Sequence, residues 1–271
     1  MKSLRKKNPT GMRKSSEYSD LSMITDAHVH MGYYPRACRE DLEYYSPRRM
    51  FNVLKRCDVR EFIVSSTCAQ IREIGIRDVV NEAKEMRRVA GERAHQFFWL
   101  SGHLYDEDPQ MNWMESGLFE GVKFHEGETA WLKERRGDLM WIIGRVARLG
   151  FKVQFHCGGS EGCRAAELAE MVRCFPETHF DFAHCRPMAE MAAVIAQSEN
   201  VWTDTAYLDF GEFANLADYD WRGRLMFGTD LPVWQARNAD GLTKQYREYV
   251  ARFEKTGLWA VSNAAFQSYL D

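Results

Sequence analysis

Within ITDAHVHMG, residues 24–32, an acid and two imidazoles recur at every second position: Asp26, His28 and His30. Successive side chains of a β-strand point to opposite faces, so this spacing predicts all three on one face, with Ala27 and Val29 on the other. Two adjacent imidazoles offer a pair of nitrogen ligands to a transition metal. H-x-H also arises by chance and gains meaning only if other strands deliver further ligands to the same place. Lys123 and His125 in GVKFHEG, His156 in VQFHCGG, His184 in FAHC and Asp230 in FGTD are the candidates. Each has an ordinary alternative as a core histidine, an ion-pair partner or a helix cap.

Short β-branched and aromatic runs must position these residues: 23–30, 61–68, 95–104, 119–126, 151–157, 179–185, 200–207 and 224–230. Between them, segments such as 78–92, 136–150, 162–175 and 188–198 carry helical periodicity, with Gly150 and Pro176 punctuating two helix ends. Eight alternations over about 250 residues predict an α/β fold of the (β/α)8 TIM-barrel type. In such a barrel the site forms at the carboxyl ends of the strands, and there the candidates fall: His28 and His30, Lys123 and His125, His156, His184, Asp230. A doubly wound open sheet is the alternative, but no G-x-G-x-x-G follows a strand.

With 45% hydrophobic and 28% charged residues in 271, the chain has enough apolar content for one large core. No apolar run approaches the roughly 18 residues of a membrane span. Seven scattered cysteines without a C-x-x-C pair, and no secretory apolar segment, point to a reducing cytoplasm. Residues 1–22 carry six basic side chains against two acidic ones and little to bury; they are expected to be a basic, disordered extension, with 23–271 as a single barrel domain. Without that segment the formal charge is -7, which disfavours nucleic acid as a partner.

The pieces ITDAHVHMG, GVKFHEG, VQFHCGG, CFPETHFDFAH, VWTDTA, LMFGTDLP and NAAFQSYL run in order from residue 23 onward. Together they resemble the amidohydrolase superfamily of metal-dependent barrels. The closer resemblance is to its amidohydrolase-related (amidohydrolase 2) branch, which includes aminocarboxymuconate semialdehyde decarboxylase and several lactonases. The resemblance implies that His28, His30, His156 and Asp230 hold one divalent metal, zinc before manganese or iron. It also implies that His184 reaches a water or substrate atom and that Asp230 accepts a proton from the activated water. Some superfamily members instead carboxylate a strand-four lysine to bridge two metals, which would recruit Lys123, His156 and His184. Strand alternation sets Lys123 one step deeper than His125, which favours an unmodified ammonium balancing Asp26 or Asp230, since an unpaired buried charge is expensive.

Two departures keep the substrate from being inherited. HCRP stands where a glycine-rich turn is usual after the strand-six histidine, and GVKFHEG lacks a proline after its histidine. Arg186 reads equally as a carboxylate binder and as a solvated loop arginine. With Lys123, His125, Tyr33 and Trp234 it completes the candidate substrate and supporting contacts. Cys157 and Cys185 follow candidate histidines directly, so alternation turns them away from the site as packing residues. The loop MGYYPRACREDLEYYSP, with Tyr33, Tyr34, Arg36, Tyr44 and Tyr45, is either a lid over a small, partly aromatic or anionic substrate or a packed segment. A first strand beginning near residue 23 leaves no room for an accessory β-sandwich, so the barrel is expected to be near-minimal. The resulting expectation is a hydrolase cleaving an amide, ester or lactone bond of a small molecule. A non-oxidative decarboxylase using the same metal site is the alternative, and a non-catalytic metal-binding protein comes third. A homodimer is left open.

Overall fold

Each of the eight apolar runs contains a strand. A computed structural model describes residues 23–34, 43–125, 136–158, 163–233 and 239–271; the N-terminal extension, Arg36 and Trp234 lie outside the described residues. In chain order the elements are β1 (Ile24–Tyr34), β2 (Glu43–Tyr45), α1 (Pro47–Arg56), β3 (Val59–Ser66), α2 (Ile76–Ala90), β4 (Ala94–Trp99), α3 (Gly102–Glu107) and β5 (Gly121–Phe124). There follow α4 (Arg136–Arg148), β6 (Lys152–His156), α5 (Ala165–Val172), β7 (Phe180–Ala183), α6 (Met188–Gln197), β8 (Val201–Asp204), β9 (Leu225–Met226), α7 (Ala239–Glu254) and α8 (Trp259–Leu270).

The fold is mixed α/β, built on one curled sheet ordered β2-β1-β3-β4-β5-β6-β7-β8-β9. All neighbours are parallel except β1 and β2. Past the last strand, Ala27 N donates to Phe227 O (2.8 Å), Asp230 N to His28 O (2.8 Å) and His30 N to Leu231 O (2.8 Å), joining the segment after β9 to β1. Parallel strands covered by crossover helices are buried on both faces, which is why the runs read as continuously apolar rather than alternating. The larger core, including Val53, Val122, Ile142 and Val194, lies between sheet and helices. A smaller cluster gathers Ala27, Ile63, Phe97, Trp202 and Met226 around Phe266 and Tyr269 of α8. α8 meets the strand beginnings, where Tyr269 OH donates to Val153 O (3.1 Å) and Thr25 Oγ1 to Asn263 Oδ1 (2.9 Å). That leaves the carboxyl ends of the strands for chemistry. Among the described residues no helix is long and apolar enough to cross a membrane.

Two local expectations change. β1 pairs with β3 through a register shift between Asp26 and Val29. A bulge places one extra residue in the strand and interrupts its alternation. Ala27 therefore joins the inner cluster, whereas the Asp26 carboxylate meets Thr229 beside the Tyr246 hydroxyl of α7. The common face holds for His28 and His30 and not for Asp26. The loop after the first strand is also partly a hairpin, with Tyr33 opposite Tyr44. Tyr44 OH donates to Glu82 of α2 (2.7 Å), and Tyr45 is buried with the Arg49 guanidinium over its ring (4.5 Å). These two tyrosines anchor the hairpin to α2 and α1, so they pack rather than swing.

Candidate metal centre

His28 and His30 meet edge to face in the middle of β1, where its pairing with β3 ends, with Nε2 atoms 3.2 Å apart and side chains almost wholly buried. Asp230 Oδ1 lies 2.9 Å from His30 Nε2 and 3.5 Å from His28 Nε2. These three converge closely enough to share one ion. The rest of each ring is braced. His28 Nδ1 lies 2.8 Å from Asp204 Oδ2, and His30 Nδ1 lies 3.0 Å from Ser65 Oγ and 3.4 Å from Ser65 O. A carboxylate at Nδ1 fixes the His28 proton there and leaves the Nε2 lone pair facing the cluster.

Asp204, at the end of β8, is the residue that the sequence reading passed over. Its Oδ1 accepts from His184 N (3.0 Å) and Ala206 N (2.8 Å) while its Oδ2 holds His28, so one side chain positions two candidate site histidines. Its place at a strand end, within VWTDTA, was the available signal. Asp204, His28 and His184 form a second close grouping, but both Asp204 oxygens are already engaged, which makes it a brace. Gly228 makes this approach possible: a Cβ there would lie 3.1 Å from Asp204 Cβ and Cγ and 3.1 Å from His28 Cβ. Asp26 has a similar bracing role. It accepts from His28 N (3.0 Å), Thr229 N (3.1 Å) and Thr229 Oγ1 (2.7 Å), stitching the β1 bulge to the turn that carries Asp230. Burial pushes the Asp26 carboxyl up to about 7 against those hydrogen bonds.

The other expected residues surround this group. His184 Nδ1 faces Ala206 O (2.9 Å), which places its proton there, and its Nε2 lies 2.9 Å from His156 Nδ1. His156 thus meets His184 directly and stands outside the close trio of His28, His30 and Asp230. His125 packs between Trp99 (5.2 Å between ring centroids) and His156 (4.4 Å). Lys123 Nζ lies 2.5 Å from His28 Nε2 and 3.1 Å from Gln154 Oε1, and 5.2 Å from the Trp99 ring centre. The expectation that it balances Asp26 is corrected, because the bulge turns Asp26 toward Thr229. Arg186 lies over the Tyr207 ring, while Tyr33 packs at a tilt against Tyr44 in the hairpin. Cys157 and Cys185 are buried in the outer core, and burial pushes both thiols well up, as packing residues require.

The backbone is strained where chemistry is expected. His184 (φ 77°), Cys185 (φ 47°) and Asp230 (φ 59°) adopt left-handed conformations that side-chain-bearing residues rarely take. Such strain persists only when the surroundings over-determine it, and it concentrates at functional sites.

Burial, and next the charge of Lys123, depress the pKa of His28, His30 and His125, the last to about 3. Burial and neighbouring imidazoles do the same to His156 and His184. For Asp230 burial acts upward, but contact with His30 and the surrounding positive potential, including that of Lys123, hold it at about 2. The site is therefore a set of neutral imidazoles and an ionised carboxylate, the protonation states in which these groups bind metal. The geometry fits a cation. A neutral His30 that donates from Nε2 to Asp230 leaves Nδ1 to accept from Ser65 Oγ, and one that donates from Nδ1 to Ser65 O leaves both Nε2 lone pairs and Asp230 Oδ1 facing one another. A cation lets Nε2 of both rings and Asp230 Oδ1 present lone pairs together while each Nδ1 keeps its own partner. The Lys123 ammonium, drawn to His28 Nε2, displays the same attraction. Imidazole and carboxylate donors suit zinc and its first-row neighbours.

The amidohydrolase family profile matches residues 77–254, more than half of the chain, from α2 to α7. The chain belongs to this family and is an enzyme of the amidohydrolase-related, metal-dependent superfamily. The matched span contains Lys123, His125, His156, His184, Asp204 and Asp230; His28 and His30 precede it. The fold is similar to that of a probable 2-pyrone-4,6-dicarboxylic acid hydrolase from Acinetobacter baumannii, at 12% identity and TM-score 0.59, covering 91% of this chain and 98% of the other. It is equally similar to an IDCase from Metarhizium anisopliae, at 13% identity and TM-score 0.59, covering 92% and 94%. A 4-oxalomesaconate hydratase from Rhodopseudomonas palustris matches at 11% identity and TM-score 0.53, covering 91% and 97%. At these identities the likeness is one of fold. A comparison with curated proteins finds no match.

Proposed function

We propose that this enzyme hydrolyses an amide, ester or lactone bond of a small substrate at a single divalent ion, zinc first, on a closed and near-minimal (β/α)8 barrel in the cytoplasm. The convergence of His28 Nε2, His30 Nε2 and Asp230 Oδ1, each ring braced from behind, carries the reading. These three hold the ion, with His156 as fourth donor, and Lys123 stays an unmodified ammonium. When bound, such an ion polarises a carbonyl and acidifies water. The chain's own groups do the rest. Asp230, ionised and at the rim, receives the proton of the attacking water and returns it to the leaving group. His184, its Nδ1 proton held by Ala206 O, keeps its Nε2 lone pair on the cluster side and exchanges a proton directly with the substrate oxygen. The buried Trp99 ring, with the half-buried His125 beside it, limits competing solvent.

The test is a screen of lactones, N-acyl amino acids and aromatic carboxylates with metal-reconstituted protein, read by product analysis. Ring opening or two fragments supports hydrolysis; release of carbon dioxide moves the chain to the decarboxylase reading. Metal analysis with intact mass measurement checks the ion count: two ions with a lysine heavier by one carboxylate would replace the single-ion site by a bridged pair.

A further inference from the structure

We propose that Arg186 binds a substrate carboxylate beside the reacting bond, so that the substrates of this site are small carboxylic acids. The inference rests on the proposed hydrolytic site and adds its substrate class. The chain turns through two left-handed residues, His184 and Cys185, immediately before Arg186. The loop after β6 is hollowed to receive it. At Gly158, two residues beyond His156, a Cβ would fall 2.5 Å from Arg186 O and 2.6 Å from Arg186 Cγ, and the glycine itself sits at φ +85°. The loop after β8 supplies the opposite wall: the guanidinium lies over the Tyr207 ring, 5.5 Å from its centre, and Tyr207 follows the Ala206 whose carbonyl holds His184. Three strand-end loops thus converge on one half-buried arginine next to the candidate acid–base histidine.

Among the described residues no carboxylate forms an ion pair with Arg186. A solvated loop arginine needs neither a cradle cut into its neighbour nor an aromatic floor. A guanidinium lying on an aromatic face keeps its edge N–H groups for a planar acceptor, and a carboxylate matches that fork bidentately. The positive charge of Arg186 also reaches His184, where it disfavours protonation. Lys123 is engaged with His28 and Gln154, so one guanidinium is offered at this wall, which suits a singly charged carboxylate better than a phosphate dianion.

The test uses full-length, metal-loaded protein and calorimetric titration with butyrate and with the dicarboxylates from malonate to adipate. One carboxylate can engage the metal site and the second can reach Arg186. The unsubstituted protein should prefer at least one dicarboxylate over butyrate. Arg186→Met should weaken that dicarboxylate by about ten- to hundredfold, the range of a charge-assisted hydrogen bond, and leave butyrate affinity and metal content unchanged. Arg186→Lys should restore part of the loss. No dicarboxylate preference in the unsubstituted protein, or an equal loss for butyrate and dicarboxylate in Arg186→Met, overturns the proposal. Failure of the metal reading looks different: the protein takes up no ion, and butyrate and dicarboxylate should then both depend on Arg186, so that a loss of both in Arg186→Met still assigns it a carboxylate, whereas no loss of either overturns the proposal.

Discussion

Asp204→Asn isolates the brace behind the metal ligands. The carboxylate accepts three hydrogen bonds, from His28 Nδ1 at 2.8 Å, His184 N at 3.0 Å and Ala206 N at 2.8 Å. Asparagine has nearly the same shape and keeps one oxygen, which can serve the two backbone donors. Its amide nitrogen then faces His28 Nδ1, and two donors confront each other. His28 relieves the conflict by carrying its proton on Nε2, the atom that faces His30 and Asp230, and so withdraws the lone pair from the metal. Losing such an outer partner typically costs 10- to 100-fold in metal affinity, or about 1.4 to 2.8 kcal/mol. The assay is zinc competition against a fluorescent chelator, with melting of the metal-free protein measured in parallel. Asp204→Asn should lose affinity with little change in metal-free melting. Asp204→Ala removes both oxygens and leaves two buried backbone donors unsatisfied at about 1–3 kcal/mol each, so its metal-free melting should fall as well. Unchanged zinc affinity in Asp204→Asn would refute the tautomer argument.

Three further outcomes follow from neighbouring features. Asp230→Asn should keep the fold and lower turnover of any substrate found by about 10²- to 10⁴-fold, the usual worth of general-base help; wild-type turnover would remove Asp230 as the proton acceptor. Gly228→Ala should leave a folded protein that releases zinc faster, because its Cβ presses on Asp204 and His28 at 3.1 Å; chelator-exchange kinetics identical to those of the parent would show that the pair has slack. Glu190, which accepts from Ala166 N (3.1 Å) and pairs with Arg164 (3.2 Å), has its pKa lowered first by that backbone hydrogen bond. A depressed folded-state pKa gives stability that is present above the unfolded value and lost as pH falls through the folded one. Glu190→Gln should therefore lower the melting temperature at pH 7 and match the parent in strong acid. An equal deficit at both pH values would assign the effect to packing.

The strand count and the strand-end residues were legible in the chain because a parallel sheet with crossover helices writes them locally. A strand buried on both faces is a short apolar run, and a residue that ends such a run stands at the rim whatever its neighbours do. That local grammar located His28, His30, His156, His184 and Asp230. It could not reveal the β1 bulge, because an extra residue in a strand is defined only by the partner against which register is counted; hence Asp26 was assigned to the wrong face. It could not show that Tyr44 and Tyr45 are anchored, since Glu82 and Arg49 belong to other elements. Asp204 ended a strand as visibly as Asp230, yet its importance came from contacts with His28, 176 positions away, and His184, 20 positions away. Residue type and strand end are local properties and survive in sequence. Which nitrogen of a ring carries the proton, and which lone pair is left for a metal, depends on partners that only folding brings within hydrogen-bonding distance.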